Sequence, residues 1–199
     1  MMVLRSSPAS PFGRKVIIAA AFAGLTDKIE VIATNTSDSA DAIFKYNPLG
    51  KIPALTLPNG ATYFDSAVIV DYLDYLAGGG VLVPAAPADR FKTLTLAALA
   101  DGIADASLLQ VYERRLREVE KQDPKWPAWQ EGKVIRGLAA LENAPPAGAR
   151  TIAHIAVACA LGYLDLRFAG SWRKDHPNLV KWLEDFSVEI PTYAATNAQ

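Results

Sequence analysis

The chain has 199 residues, 51% hydrophobic and 21% charged, with 20 basic against 21 acidic side chains and a formal net charge of −1. This excludes a disordered chain and predicts a soluble globular one, long enough for one domain or for two of roughly 80–110 residues. The even charge balance gives no electrostatic reason to expect a nucleic-acid or anionic-membrane partner, and no apolar run reads as approaching the roughly 20 residues of a membrane span.

Val3-Leu4-Arg5 predicts a short strand. Ser6-Ser7-Pro8-Ala9-Ser10-Pro11 then breaks regular structure, with Ser10 as N-cap and Pro11 at the first helical position. The helix covers residues 12–23 and stops at Gly24, a residue suited to a left-handed terminus. Residues 16–25, VIIAAAFAGL after Arg14 and Lys15, imitate a secretory signal, but the basic pair follows a Ser/Pro-rich stretch instead of opening the chain.

Ile29-Glu30-Val31-Ile32 predicts a second strand, and a polar stretch leads to a short helical segment over residues 40–46. In Asn47-Pro48-Leu49-Gly50-Lys51-Ile52-Pro53-Ala54-Leu55 the two prolines forbid a continuing helix. Residues 54–57 and 62–64 flank Pro58-Asn59-Gly60, a strong hairpin signal. From Ser66, the positions Val68, Ile69, Tyr72, Leu73 and Leu76 recur at helical spacing until Gly78-Gly79-Gly80 ends the run. Residues 78–87, with these glycines, Pro84 and Pro87, read as an interdomain linker. Beyond them helices are predicted over 89–118, 128–141, 151–168 and 178–188, with no strand. The expected architecture is an α+β domain of order β-α-β-α-β-β-α over 1–77, then an all-α domain over 88–199.

Chemistry-bearing residues are few. The single cysteine, Cys159, excludes an intramolecular disulfide and any zinc site built on a cysteine pair, and it predicts a reducing compartment. It sits in an apolar helix and reads as a small core residue. With only His154 and His176 in the chain, no metal is assigned. Ser10 is the strongest position, because a hydroxyl at a helix N-terminus lies beside unpaired N–H groups and the positive end of the helix dipole, where an anion is stabilised. Read alone, it is more readily a plain cap.

Ser10-Pro11-Phe12 with Arg14, then Asn47 to Leu55 containing Lys51-Ile52-Pro53, then Asp65-Ser66 at the next helix start form a series. In this series the chain resembles the glutathione transferase family, in the serine-using, SPF-bearing form. The resemblance implies a thioredoxin-like N-terminal domain, an all-helical-bundle C-terminal domain, a cytoplasmic homodimer, and reduced glutathione as co-substrate with no tightly bound cofactor. It implies that Ser10 activates the glutathione thiolate, aided by Phe12. It implies further that Lys51, Ile52 and a cis Pro53 orient the cysteinyl backbone, and that Asp65 and Ser66 hold the γ-glutamyl end, with Ser66 capping its helix. A small hydrophobic electrophile is the implied partner, in a pocket formed by Ala9, Leu108, Leu109 and Tyr112, with Trp172 and Tyr163 as further candidates. Asp101 is the implied contact to a partner subunit's glutathione, though with Asp105 it also reads as a polar face at i, i+4.

Ser6 and Ser7 compete with Ser10 for the reactive role, and Arg14 reads as a solvated or interdomain charge. Thr151-Ile152-Ala153-His154 stands where the family has a Ser/Thr-x-x-Asp capping box, so the histidine predicts a helix start weaker by up to about 1 kcal/mol. Two other functions stay open: the same fold as an interaction module with little catalysis, or as a glutathione-dependent peroxidase or isomerase.

Overall fold

The computed structural model describes residues 1–198. Strand β1 (Met2–Ser6) is followed by helix α1 (Pro11–Phe22), strand β2 (Ile29–Ala33), a single helical turn α2 (Ile43–Tyr46), strands β3 (Ala54–Thr56) and β4 (Thr62–Tyr63), and helix α3 (Ser66–Leu76). The sheet order is β2-β1-β3-β4: β1 and β2 run parallel across the α1 crossover, and the other two pairs are antiparallel. Helix α1 ends as its sequence requires. Gly24 takes φ +68°, and the Leu25 N–H returns to the Ala20 carbonyl at 2.8 Å.

Five α-helices follow among the described residues: α4 (Pro87–Leu116), α5 (Lys125–Asn143), α6 (Ile152–Phe168), α7 (Pro177–Glu189) and α8 (Pro191–Ala195). Helix α4 packs along α5 and α6, and α1 packs on α3, α6 and α8. Apolar side chains from both halves therefore join one core, from Leu4, Val16 and Ile69 to Ile103, Ile155 and Phe186. The fold class expected from sequence is the observed one.

Some local expectations change. Helix α4 is, by length and composition, apolar enough to cross a membrane, contrary to the sequence reading; here it is the central helix of the bundle, flanked by α5 and α6. Asp74, buried on α3, was not singled out from sequence. Its carboxylate accepts from the N–H groups of Gly80 at 3.0 Å and Leu82 at 2.6 Å, which pins the glycine-rich segment to the first half of the chain.

The start of α6 is also better capped than expected. His154 Nδ1 accepts the Thr151 N–H at 3.2 Å and lies 3.1 Å from Thr151 Oγ1, so a neutral imidazole supplies the acceptor that an acid would. The box therefore holds only while Nδ1 is unprotonated. Burial, and then the nearby Arg150 charge, push the His154 pKa below 6.5. The unfolded chain then binds the proton first, so stability is full above pH 6.5 and declines as pH falls through the lowered value. We expect the thermal midpoint to drop on acidification below about pH 6.5, with a smaller drop in His154→Asp. Equal pH dependence of the two proteins in melts followed by circular dichroism contradicts this.

Candidate functional site

Ser10 stands between β1 and α1, half-buried, with its N–H bonded to the Ser7 carbonyl at 2.9 Å. Its Oγ accepts the Gly13 N–H at 3.1 Å and caps the helix. A capping oxygen uses a lone pair and leaves the hydroxyl proton for another acceptor. Because α1 begins at Pro11, the first-turn N–H groups and the helix dipole lie at the same spot.

The structure distinguishes the three serines. Ser10 lines a cleft of about 570 Å³ with Pro8, Ala9 and Pro11. Ser6 and Ser7 instead line a separate cavity of about 310 Å³ next to β2 and the C-terminal segment. Ser6 is buried, and its Oγ has no hydrogen-bond partner among the described residues.

The loop from Asn47 is built around that residue. Buried Asn47 donates from Nδ2 to the Lys51 carbonyl at 2.8 Å and accepts from the Leu49 N–H at 3.0 Å, so one side chain sets the path into Lys51-Ile52-Pro53. The Ile52–Pro53 bond is cis, as the resemblance implies, and so is Phe64–Asp65. Lys51 is exposed, Ile52 half-buried and Pro53 buried at the entry to β3.

At the start of α3 the cap falls one residue earlier than expected. Asp65 is the N-cap, accepting the Ala67 N–H at 3.0 Å, while Ser66 is the first helical residue and is buried. Aspartate and serine cap about equally well, and the full charge at the helix N-terminus tips the choice slightly to the acid.

Two basic residues of α1 reach the second half of the chain. Lys15, with 2% of its side chain exposed, places Nζ 2.7 Å from both carboxylate oxygens of Asp101, whose side chain is 30% exposed. Asp101 is thus engaged within its own chain. Arg14, read from sequence as a solvated or interdomain charge, is buried against the C-terminal segment and donates to Thr196 Oγ1 at 3.1 Å and to the Tyr193 carbonyl.

The far wall of the cleft comes from α6, α7 and the C-terminal segment, including Tyr163, Asp165, Leu183 and Tyr193. Of the residues named for the electrophile pocket, Ala9 and Tyr163 line it. Leu108, Leu109, Tyr112 and Trp172 are not among its lining residues. Cys159 also lines it, but burial pushes its thiol up to about 12, so it stays protonated and unreactive. Among the described residues no group of three His, Cys, Asp or Glu is placed to hold a metal ion.

Two family models cover most of the chain: residues 9–76 match the glutathione S-transferase N-terminal domain, and residues 101–185 its C-terminal domain. The chain belongs to the glutathione S-transferase family. Within the family it is 35% identical over 190 residues to the "Uncharacterized GST-like protein YibF" of Escherichia coli K12, covering 92% of this chain and 93% of that one. A glutathione transferase family member from Pseudomonas fluorescens Pf-5, solved with bound glutathione, superposes with a TM-score of 0.94 at 44% identity over the full length of both chains. A structure of a family member from the same organism with bound S-(propanoic acid)-glutathione gives a TM-score of 0.89 at 43% identity, also over both full lengths.

Proposed function

We propose that the chain is a glutathione transferase in which Ser10 stabilises the thiolate of reduced glutathione for attack on a small electrophile. The observation that carries this reading is the Ser10 hydroxyl at the cleft: its oxygen is held by the Gly13 N–H and its proton is available to an anion. The thiolate sulfur forms a bond to the electrophilic carbon. Either a leaving group departs with its electron pair, or the electrons of an activated double bond move outward and that end takes a proton from water.

The other roles follow from position. The Ile52 backbone beside cis Pro53 would pair with the cysteinyl part of glutathione, with Phe12 and Lys51 flanking it. Asp65 would receive the γ-glutamyl ammonium, and Ser66 with the first N–H groups of α3 its carboxylate. The glutathione and glutathione conjugate bound by the Pseudomonas structures support this assignment. We assign the boundary between domains to residues 78–87, the protein to the cytoplasm, and the assembly to a homodimer. Exposed Val68 and Tyr75 on α3 and Phe91 and Leu94 on α4 support a dimer face, and Arg90 bridges these helices by reaching Asp71 at 3.4 Å. The test is the ionisation of bound glutathione: the thiol should lose its proton at least one unit below its free value of about 8.5, followed by thiolate absorbance in the ultraviolet.

A further inference from the structure

Arg14 is 7% exposed, yet no Asp or Glu among the described residues pairs with it. Its acceptors are neutral: Thr196 Oγ1 for Nε, and the Tyr193 carbonyl and Asn197 Oδ1 for Nη2. Its plane rests on the Tyr193 ring, with Cζ 4.0 Å from the centroid. Nη1 faces the Tyr193 hydroxyl and no carboxylate among the described residues. A guanidinium withdrawn this far from water is costly to leave without a counter-charge.

The space that Nη1 faces is set by Gly162 of α6. A Cβ at Gly162 would collide with Arg14 Nη1 and lie 2.8 Å from Tyr193 Oη, so the missing side chain is what lets a guanidinium N–H and a phenol O–H converge. Arg14, Gly162 and Tyr193 all line the cleft that begins at Ser10. The Tyr193 hydroxyl has the Arg14 side chain as its hydrogen-bond partner, and burial pushes its ionisation up to about 12, which keeps it neutral with an O–H to donate. The acids of the cleft do not neutralise this corner. Asp165 is taken by Arg173 at 2.6 and 2.9 Å and by Trp172 Nε1 at 2.8 Å, and Glu184 lies exposed. Tyr193 Oη accepts from the Arg14 side chain and keeps its own O–H to donate, so the corner holds a full positive charge and a neutral donor with no anion between them.

Resting on the transferase reading, we propose that this corner of the cleft is an anion subsite for the second substrate. The electrophiles taken by the chain then carry a carboxylate or equivalent anionic group, received by Arg14 Nη1 and Tyr193 Oη while the carbon under attack faces Ser10. Unsaturated or halogenated carboxylic acids have this chemistry, and neutral apolar electrophiles leave the subsite empty.

The test uses glutathione thioethers as ligands, because their binding needs no turnover. Two matched pairs are titrated calorimetrically at pH 7: S-(2-carboxyethyl)- against S-(2-carbamoylethyl)glutathione, and S-(4-carboxybenzyl)- against S-(4-carbamoylbenzyl)glutathione. In at least one pair the acid should bind about tenfold tighter than its amide, the worth of a charge-assisted hydrogen bond. That ratio should fall to within about twofold in Arg14→Gln, and part-way in Tyr193→Phe, which keeps the ring beneath the guanidinium and carries the test if the arginine variant does not fold. Equal binding of acid and amide in both pairs, or an acid preference that survives in the variants, overturns the proposal. Glutathione binding without acid preference rejects the subsite alone. Failure of glutathione and all four thioethers to bind rejects the transferase reading and the subsite with it.

Discussion

Replacing Ser10 by alanine should lower turnover at near-neutral pH by about 10- to 100-fold while changing the affinity for glutathione little. Bringing a thiol from a pKa of about 8.5 to about 6.5 requires roughly 2.7 kcal/mol of preference for the anion. A hydrogen bond to a charged acceptor contributes about 1.5–3 kcal/mol, and a helix N-terminus about 0.3–1 kcal/mol. The hydroxyl is therefore the larger part, and the helix start alone leaves most of the thiol protonated. Ser10 also caps α1 through Gly13, so Ser10→Ala should cost about 0.5–2 kcal/mol of stability. Ser10→Gly separates the two effects: glycine is a tolerated cap at a cost of a few tenths of a kcal/mol, but it has no hydroxyl to donate. Both variants should lose turnover equally, and only the alanine should lower the melting temperature appreciably. Steady-state kinetics with a generic aryl halide, alongside thermal melts, checks this. Full turnover in either variant contradicts the role of the hydroxyl.

Asp101→Ala should destabilise the fold by about 3 kcal/mol, and Lys15→Met by distinctly less. The pair is asymmetric in burial: Lys15 has 2% of its side chain exposed and Asp101 30%. Removing the aspartate leaves an ammonium enclosed without a counter-charge, with the Phe12 ring centroid 5.8 Å away as its remaining electrostatic partner. Removing the lysine leaves a carboxylate that water already reaches, and methionine refills the apolar channel of the stem. Because the pair joins α1 to α4, its loss should also loosen the packing between the two halves. Urea denaturation of the two single variants measures the difference. Equal losses, or a larger loss for Lys15→Met, contradict an account based on the buried ammonium.

The parts of the site that are legible in sequence are those whose geometry is local. Ser10 announces itself because a serine before a proline at a helix start has a defined place in the cap, and Asn59-Gly60 fixes a hairpin within a few residues. The path through Lys51-Ile52-Pro53 is visible as a motif, but not the Asn47 side chain that holds it, because that bond turns back on the loop. At Asp65-Ser66 the motif is legible but the cap is Asp65 and not Ser66, a one-residue ambiguity that acid-versus-hydroxyl capping preference resolves only weakly.

What stayed hidden depends on long separations. Arg14 meets Tyr193 and Asn197 across 179 and 183 residues, and nothing in either segment signals the other. Helix α6 is buried on nearly every side, so it carries no polar face from which to infer its neighbours, and its contribution to the cleft could not be separated from core. The helical spacing of Leu108, Leu109 and Tyr112 suggests a wall on α4, and the cleft beside Ser10 is lined from α6, α7 and the C-terminal segment.

The central claim, that the start of α1 activates the thiolate of glutathione, is tested most directly by titrating bound reduced glutathione from acid to alkaline pH and following thiolate absorbance. The same titration with Ser10→Ala serves as reference. The account predicts a thiol pKa lowered by at least one unit in the wild-type protein, and most of that shift lost in the variant. Glutathione that binds with an unshifted pKa, or a shift that persists without the hydroxyl, contradicts it.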